Sequence, residues 1–373
     1  MDFYGYMRPN GKAGARNYVL LLPVNRSLNF IASNVERMTR NTHHFEIPAE
    51  TGRTEVDREV IARTLIGLMN NANVGGIVLL AVKSGAGSAY KNMCAERFEE
   101  EARKTGKPFR IVYLTNVGGS YNMLGETLRL TREVLLEVSD FRRENCPLSA
   151  LTLGVKCGTS DATSGIAGNP CVGAAFDQLI RAGGTAFFSE TTEIIGAEDL
   201  VAKRAVNESV AKKILSAARH WEDKAKATGE DIRKINPIPA NIAAGISSLE
   251  EKSLGAIAKS GTSPIQDVLK YAEMPKGSGL YFVDSWMSSL SLPLCLTACG
   301  ATIMLYQMGG GKIAQHPMMP SINQTVVSPF LYLTGNAIAY SRAPDNFDFD
   351  ASPIMTEGAS IPEMGTKLLE HLS

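Results

Sequence analysis

Lysine, cysteine, serine and aspartate crowd together in Val155-Lys156-Cys157-Gly158-Thr159-Ser160-Asp161, directly after the apolar run from Leu151 to Gly154. A cation, a soft ligand or nucleophile, hydroxyls and a carboxylate thus gather where a buried strand gives way to a loop. In open α/β sheets, ligands bind in the crevice beyond the carboxyl ends of parallel strands. The alternative is a polar strand-to-helix turn with a structural thiol. Ser189-Glu190-Thr191-Thr192-Glu193 follows a second apolar run that ends at Phe188, with Glu198 further on. Glu190 is therefore expected beside Cys157, above adjacent strands. A thiolate and a carboxylate in that position can share iron(II) or another first-row metal and leave one side open for substrate. The histidines at 43, 44, 220, 316 and 371 show no metal-ligand spacing. His316, before Pro317 and after a triple glycine, is the most interesting of them.

Two further groups carry charge. Arg16 and Asn17 offer a planar fork of donors and an amide, suited to a carboxylate; an arginine capping backbone carbonyls is the competing reading. Asn236 to Asn241, Ser248-Leu249-Glu250-Glu251-Lys252 and Lys259 form the other group. A lysine beside carboxylates can act as a base or stabilise an enolate, although alone the segment would read as a solvated helix face. Ser84 to Gly87 and Gly309 to Lys312 could form anion-binding nests or merely tight turns. No glycine spacing matches a dinucleotide or P-loop fingerprint.

These residues need a scaffold, and the chain supplies one by alternating short apolar runs with helical periodicity. Strands are predicted at Tyr18–Leu22, Gly76–Val82, Arg110–Leu114, Leu151–Val155, Thr185–Phe188, Leu280–Asp284 and Thr302–Tyr306. Helices are predicted at Glu55–Met69, Ala89–Lys104, Leu124–Val138, Val172–Arg181, Val206–Ala227 and Glu363–Leu372, with Ala343–Ser360 as a surface excursion. The alternation predicts an α/β fold: two Rossmann-like lobes with mainly parallel sheets flanked by helices. The charged stretch ended by Pro147 divides them into 1–145 and 146–373. With 373 residues, the chain is long enough for two such lobes. Lys plus Arg and Asp plus Glu both number 38, so no global field attracts nucleic acid or an anionic membrane. No run approaches the about 18 apolar residues of a span, and six scattered cysteines without a C-x-x-C pair suit free thiols in a cytoplasmic protein.

Taken in order, the motifs G-Y-x-R, G-x-R-N, K-C-G-x-S-D, G-I-A-x-N-P, E-T-T-E, G-A-E, N-P-x-P-x-N, E-E-K-x-L-G and G-L-Y-F-x-D-S resemble the altronate and galactarate dehydratase family. The match runs from Gly5 to about Asn336. It is most similar to the sulfolactate sulfo-lyase large-subunit branch. The resemblance implies a lyase that removes the proton α to a carboxylate, expels water or sulfite from the β carbon and yields a 2-oxo acid. It also implies iron(II), a separate small N-terminal-type subunit and, by the usual habit of soluble enzymes, a homo-oligomer.

The departures bear on metal and substrate. Sugar-acid members tend to carry cysteine- and histidine-bearing segments where this chain has Asn25-Arg26-Ser27, Glu50-Thr51-Gly52-Arg53 and Lys83-Ser84-Gly85. With three ligand-type positions absent, the cofactor is either iron(II) or none. An arginine such as Arg53 suits a second, non-carbohydrate anion.

The expected assignment follows. Arg16 and Asn17 hold the substrate carboxylate, Arg26 or Arg53 holds the β-side group, and Ser160 and Asn241 line the site. Lys156 or Lys252 assists enolate formation, while Cys157 with Glu190 or Asp161 binds iron(II) or supplies acid/base groups. A dianionic enolate demands concentrated positive charge, from a metal or from lysines. A catalytically silent binding or assembly subunit and a phosphate-dependent transferase using the two nests are the competing functions. Sugar-acid binding without turnover would mark the first, and specific nucleotide stabilisation the second.

Overall fold

The computed structural model describes residues 1–82, 90–310 and 325–372. Fourteen strands occur among them. The first seven are β1 (Asp2–Met7), β2 (Ala13–Gly14), β3 (Tyr18–Pro23), β4 (Thr42–His44), β5 (Val74–Ala81), β6 (Phe109–Tyr113) and β7 (Glu144–Pro147). The others are β8 (Thr152–Gly158), β9 (Thr185–Phe188), β10 (Ile265–Leu269), β11 (Gly279–Val283), β12 (Ile303–Met308), β13 (Phe330–Thr334) and β14 (Phe349–Asp350). They form a parallel sheet β4-β3-β5-β6, a parallel sheet β10-β11-β9-β8-β12-β13-β14 and an antiparallel sheet β2-β1-β7. The α/β class and parallel sheets are as the sequence predicts.

Strand alternation explains the layers. Side chains along a strand point to opposite faces, so Leu20 and Leu22 meet Ile61, Leu65 and Phe98, whereas Val19 and Leu21 meet Ile31, Val35 and Val134. In the larger sheet, Val155, Phe188 and Leu305 bury against Val172, Phe176 and Leu179 of the Asn169–Arg181 helix. On the other face, Phe187, Tyr281 and Met304 meet Leu292, Cys295 and Leu296 of the Ser291–Cys299 helix. Such double-sided burial makes the central strands near-continuous apolar runs.

All seven predicted strands exist within two or three residues of their expected ends. The overlooked ones are mostly edge or polar strands: Thr-His-His in β4, Glu-Asn-Cys-Pro in β7 and Ile-Gln-Asp-Val-Leu in β10 carry little apolar signal. The Ala343–Ser360 stretch is no mere excursion. It contributes β14 to the sheet edge and buries Ala351. The predicted Ala89–Lys104 helix starts only at Ala95, after a short 3₁₀ turn at Lys91–Met93.

A polar seam joins the two parallel sheets. The Asn71 amide donates to the carbonyls of Thr297 and Ala301 at 2.9 and 2.8 Å, closing the end of the Ser291–Cys299 helix. Asn73 donates to the Thr302 carbonyl at 2.7 Å. Close approach also requires glycine: a Cβ at Gly67, in the Glu55–Asn70 helix, would lie 2.1 Å from the Ala298 carbonyl oxygen. We expect Gly67→Ala to lower stability by about 1–3 kcal/mol through forced backbone displacement. Gly125→Ala, in open space on the Ser120–Ser139 helix, should raise it by about 1 kcal/mol. Urea unfolding of both variants checks the pair, and equal stabilities would contradict the close-contact account.

Candidate functional site

The larger sheet reverses its strand order beside β8: chain order proceeds to β9 on one side and returns to β12 on the other. At such a switch point the loops diverge and leave a crevice. Lys156 and Cys157, the last side-chain-bearing residues of β8, stand there. β9 then delivers Glu190, whose backbone is left-handed at φ 71°. That conformation is uncommon outside glycine, and the surroundings hold it. The Glu193 N–H donates to the Glu190 carbonyl at 2.7 Å, the Thr191 N–H donates to Ser285 O at 3.0 Å, and the Thr191 hydroxyl donates to Asp284 at 2.7 Å. The following 3₁₀ turn at Thr191–Glu193 brings Glu193 back to the side of Glu190, because residues three apart eclipse in that geometry.

A more distant segment supplies the other cations. Ser248 caps the Leu249–Ile257 helix, which buries Leu249, Lys252, Ser253 and Ala256 and leaves Glu250 and Glu251 in solvent. The 3₁₀ turn Ala258–Ser260 next delivers Lys259. It can lie close to the Asn169–Arg181 helix because residue 173 is glycine; a Cβ there would meet the Ala258 carbonyl oxygen at 2.2 Å. Asp177 pins the chain just beyond, accepting from the backbone N–H and hydroxyl of both Thr262 and Ser263 at 2.6–2.9 Å.

These elements assemble a buried cluster. The Lys156 ammonium donates to Glu190 Oε1 at 2.9 Å and to its neighbour's carbonyl, Cys157 O, at 2.7 Å. Lys259 donates to Glu190 Oε2 and lies 3.0 Å from Cys157 Sγ and 3.5 Å from Glu193 Oε2. Cys157 Sγ is 3.3 Å from Glu190 Oε2 and 3.0 Å from Glu193 Oε2. Lys252 reaches Glu193 Oε1 at 3.4 Å and donates to Asn236 Oδ1 at 2.6 Å and Asn241 Oδ1 at 3.2 Å. Glu190 is 0% exposed and Lys259 1%, so each charge depends on its partners.

Burial and charge pairing both act on Lys156, Lys259, Glu190 and Cys157. Burial penalises the Lys156 ammonium, yet Glu190 and its neighbours outweigh this and raise its pKa. Lys259 is raised likewise, burial being overcome by Cys157, Glu190 and Glu193. Burial pushes the Glu190 carboxyl up, but Lys156 and Lys259 prevail and hold it below the usual carboxylate range. For Cys157, burial and the two glutamates act together against the lysines and push the thiol up. At neutral pH the centre therefore holds ammonium groups at Lys156 and Lys259, a carboxylate at Glu190 and a thiol at Cys157.

A cavity of about 440 Å³ opens on this centre, lined among others by Lys156, Ser160, Glu193, Asn241, Lys252 and Tyr306. Its size suits a small metabolite. A larger depression of about 720 Å³ at the β10 edge is lined by Lys213, His220, Asp267 and Lys270 and by none of the six cluster residues.

The structure thus brings together Lys156, Cys157, Glu190, Lys252, Ser160 and Asn241 of the residues expected from the sequence, and gives the others different partners. Arg16 and Asn17 precede β3 and therefore sit at its amino end, away from the crevice side of that sheet. Both ends of the Asn17 amide are engaged, Oδ1 by Arg8 at 2.9 Å and Nδ2 with the Val138 carbonyl at 2.9 Å. Arg16 donates to the Ala15 carbonyl at 3.1 Å, the backbone-capping role. Arg26 and Arg53 are exposed in loops following β3 and β4. The Arg26 N–H donates to Glu50 at 3.3 Å and the Arg53 guanidinium to Ala49 O at 2.6 Å. Asp161 accepts from Thr163 at 2.6 Å and from Asn336 at 2.8 Å, bracing the loop after β8. Asn241 is likewise a positioning group, donating to Ser160 O at 2.9 Å while accepting from Lys252. The Ser84–Gly87 nest, Lys83, Lys312 and His316 lie outside the described residues.

Glu193 and Lys259 were undervalued by sequence reasoning. Glu193 stands three residues after Glu190 in one motif, and it is Glu193 that lines the cavity. Lys259 lies 102 positions from Cys157 in the chain, and no local pattern couples them.

Cys157, Glu190 and Glu193 offer buried donor atoms within 4.8 Å of one another, a set that could hold a metal. The donors as arranged do not fit one together with Lys259, whose ammonium already bridges all three. Metal–ligand distances of about 2.0–2.3 Å would place an ion against Nζ.

Fold and site define an α/β protein with a lysine–carboxylate–thiol centre at a switch-point crevice. A family model described as D-galactarate/altronate dehydratase, C-terminal, matches residues 148–373, and one for the D-galactarate dehydratase/altronate hydrolase second domain matches residues 5–139. The chain is 32% identical over 376 residues to (2R)-sulfolactate sulfo-lyase subunit beta of Chromohalobacter salexigens, spanning 99% of this chain and 91% of that one. It is also 32% identical to altronate dehydratase of Bacillus subtilis, over 94% of this chain and 68% of the relative. Galactarate dehydratase (L-threo-forming) of Escherichia coli is 30% identical over 99% and 72%. The chain belongs to the galactarate/altronate dehydratase family, and these relatives support a lyase activity.

Two outcomes test the site's construction. Glu190→Gln leaves two buried ammonium groups facing a neutral amide, and should cost about 3 kcal/mol or more in denaturant unfolding; a cost below about 1 kcal/mol would refute the ion-pair arrangement. At Asp177, burial raises the carboxyl but bonds from Ser263 and Thr262 outweigh it, leaving the pKa below its ordinary value. Its stabilisation is therefore complete above the unfolded value, about 3.9, and is lost as pH falls through the lower folded value. Asp177→Asn should flatten the acid limb of stability against pH, whereas an unchanged limb would remove Asp177 from that account.

Proposed function

We propose that the chain is the large, site-bearing part of a lyase that eliminates water or sulfite from a 2-hydroxy acid to give a 2-oxo acid. The observation that carries this reading is the convergence of Lys156, Lys252 and Glu193 on one cavity, backed by Glu190 and Lys259. Glu193 takes the α proton. The electron pair left on that carbon delocalises into the carboxylate, and Lys156 and Lys252 stabilise the resulting dianion in a site of low dielectric. The pair then forms the double bond as the β substituent departs with its bonding electrons. Lys252 assists by donating a proton where the leaving group is hydroxide. The enol product tautomerises to the 2-oxo acid. Ser160 and Tyr306 shape the cavity, and Asn236 and Asn241 orient Lys252.

The reading extends to context. A relative named as a subunit beta motivates a separate small partner, and we place the enzyme in the cytoplasm as a homo-oligomer. Among the described residues no helix is long and apolar enough to cross a membrane.

The test is 2-oxo acid release, assayed anaerobically with the small subunit present, from 3-sulfolactate and from C5 and C6 sugar acids. Turnover of one substrate is expected, and Lys156→Met should abolish it while retaining the native circular dichroism, since Glu190 keeps Lys259. A folded Lys156→Met variant with wild-type rates would reject the assignment. Binding of a substrate by the assembled protein without any turnover would instead favour the catalytically silent subunit.

A further inference from the structure

Lys259 has the placement of a ligand-bound cation rather than of a surface lysine folded inward. Its nitrogen lies 3.0 Å from Cys157 Sγ, bonds to Glu190 Oε2 and lies 3.5 Å from Glu193 Oε2, so it contacts every donor of the one three-donor grouping found among the described residues. We propose that the Lys259 ammonium is a built-in cation occupying the position of a metal ion, and that it excludes metal from the Cys157–Glu190–Glu193 donor set.

The turn around Lys259 is constructed to deliver it there. Gly173 permits the approach of Ala258 to the helix behind. Arg204 donates to Ser260 Oγ at 2.8 Å, to Ser260 O at 3.1 Å and to Ser263 O at 3.0 Å. Asp177 fixes Thr262 and Ser263. Anchored at its root and only 1% exposed, the side chain has little space in which to swing away when an ion arrives. Charge argues the same way. Three lysines already face two carboxylates within the cluster, so a divalent ion would add repulsion to a centre that carries its own counter-charge. A lysine that both neutralises and orients the glutamates gives the site a fixed positive potential without a dissociable component.

Metal binding can be read without turnover, so the test is independent of the lyase reading. Chelator-stripped protein is titrated anaerobically with cobalt(II), and the sulfur-to-cobalt charge-transfer absorption is recorded alongside bound cobalt after desalting. Wild type should show neither the absorption nor site-bound cobalt. Lys259→Ala should acquire one equivalent together with the absorption, and lose both in the Lys259→Ala/Cys157→Ala double variant. A Cys157-dependent band in wild type would overturn the proposal whatever the variants do. A folded Lys259→Ala protein that takes up no cobalt would overturn it too, because the ammonium would then not be what keeps metal out. If Lys259→Ala does not fold, the wild-type titration compared with Cys157→Ala decides the question.

Discussion

Glu190 lies at the bottom of the crevice, with no exposure to solvent and an ammonium group on each carboxylate oxygen. An isolated carboxylate in that place would be prohibitively costly, so the lysines are a condition of its burial. Much else in the larger lobe can be read as meeting that condition. The left-handed backbone at Glu190 aims the carboxylate inward, Asp284 and Ser285 hold the turn, and the segment from Ser248 to Ser263 arrives from elsewhere in the chain to bring two lysines. The pair Lys156–Glu190 also joins adjacent strands β8 and β9, so the electrostatic centre is part of the sheet's own framework.

The two glutamates divide the labour. Glu190 is saturated by its partners and fully enclosed, whereas Glu193 faces the cavity with Lys252 beside it and Lys259 behind. Groups held at close quarters with fixed charges need little reorganisation when charge develops on a bound molecule. The family relationship and the cluster lead to the same kind of chemistry by separate routes, one through similarity along the chain and the other through the charge arrangement at the sheet's carboxyl edge.

The sequence made the central strands legible because burial on both faces turns them into uninterrupted apolar runs, and it made Lys156, Cys157 and Glu190 legible because they follow such runs immediately. Lys252 could be singled out but not distinguished from its neighbours: only the helix's orientation sends Glu250 and Glu251 outward and Lys252 inward. Arg16 and Asn17 show a positional signal that the sequence already carried. Residues just before a parallel strand lie at its amino edge, and that position alone argues against the ligand crevice. Lys259 is different, since its meeting with Cys157 depends on how a helix–turn segment docks on another helix. That docking is governed by a missing side chain at Gly173, for which sequence spacing has no signature. Edge strands such as β4 and β10 were hidden for a simpler reason: one side of each meets solvent or a loop, so the apolar run is broken.

The Asn71 and Asn73 seam has a consequence for how the protein can be divided. The Thr297 carbonyl in the last turn of the Ser291–Cys299 helix, which also accepts from the local Gly300 N–H, and the Ala301 carbonyl just beyond that helix both accept from Asn71. The end of a helix packed on the larger parallel sheet is thus completed by a side chain from just before β5 of the smaller one, and β7 pairs with β1. The charged stretch between the two parallel sheets is exposed from Phe141 to Asn145, yet it is tied down through β7, which buries Cys146. The halves are therefore poor modules for shuffling: severing them would strand polar groups on both sides, and a chimaera that exchanged one lobe would have to bring its own amides to the same three carbonyls.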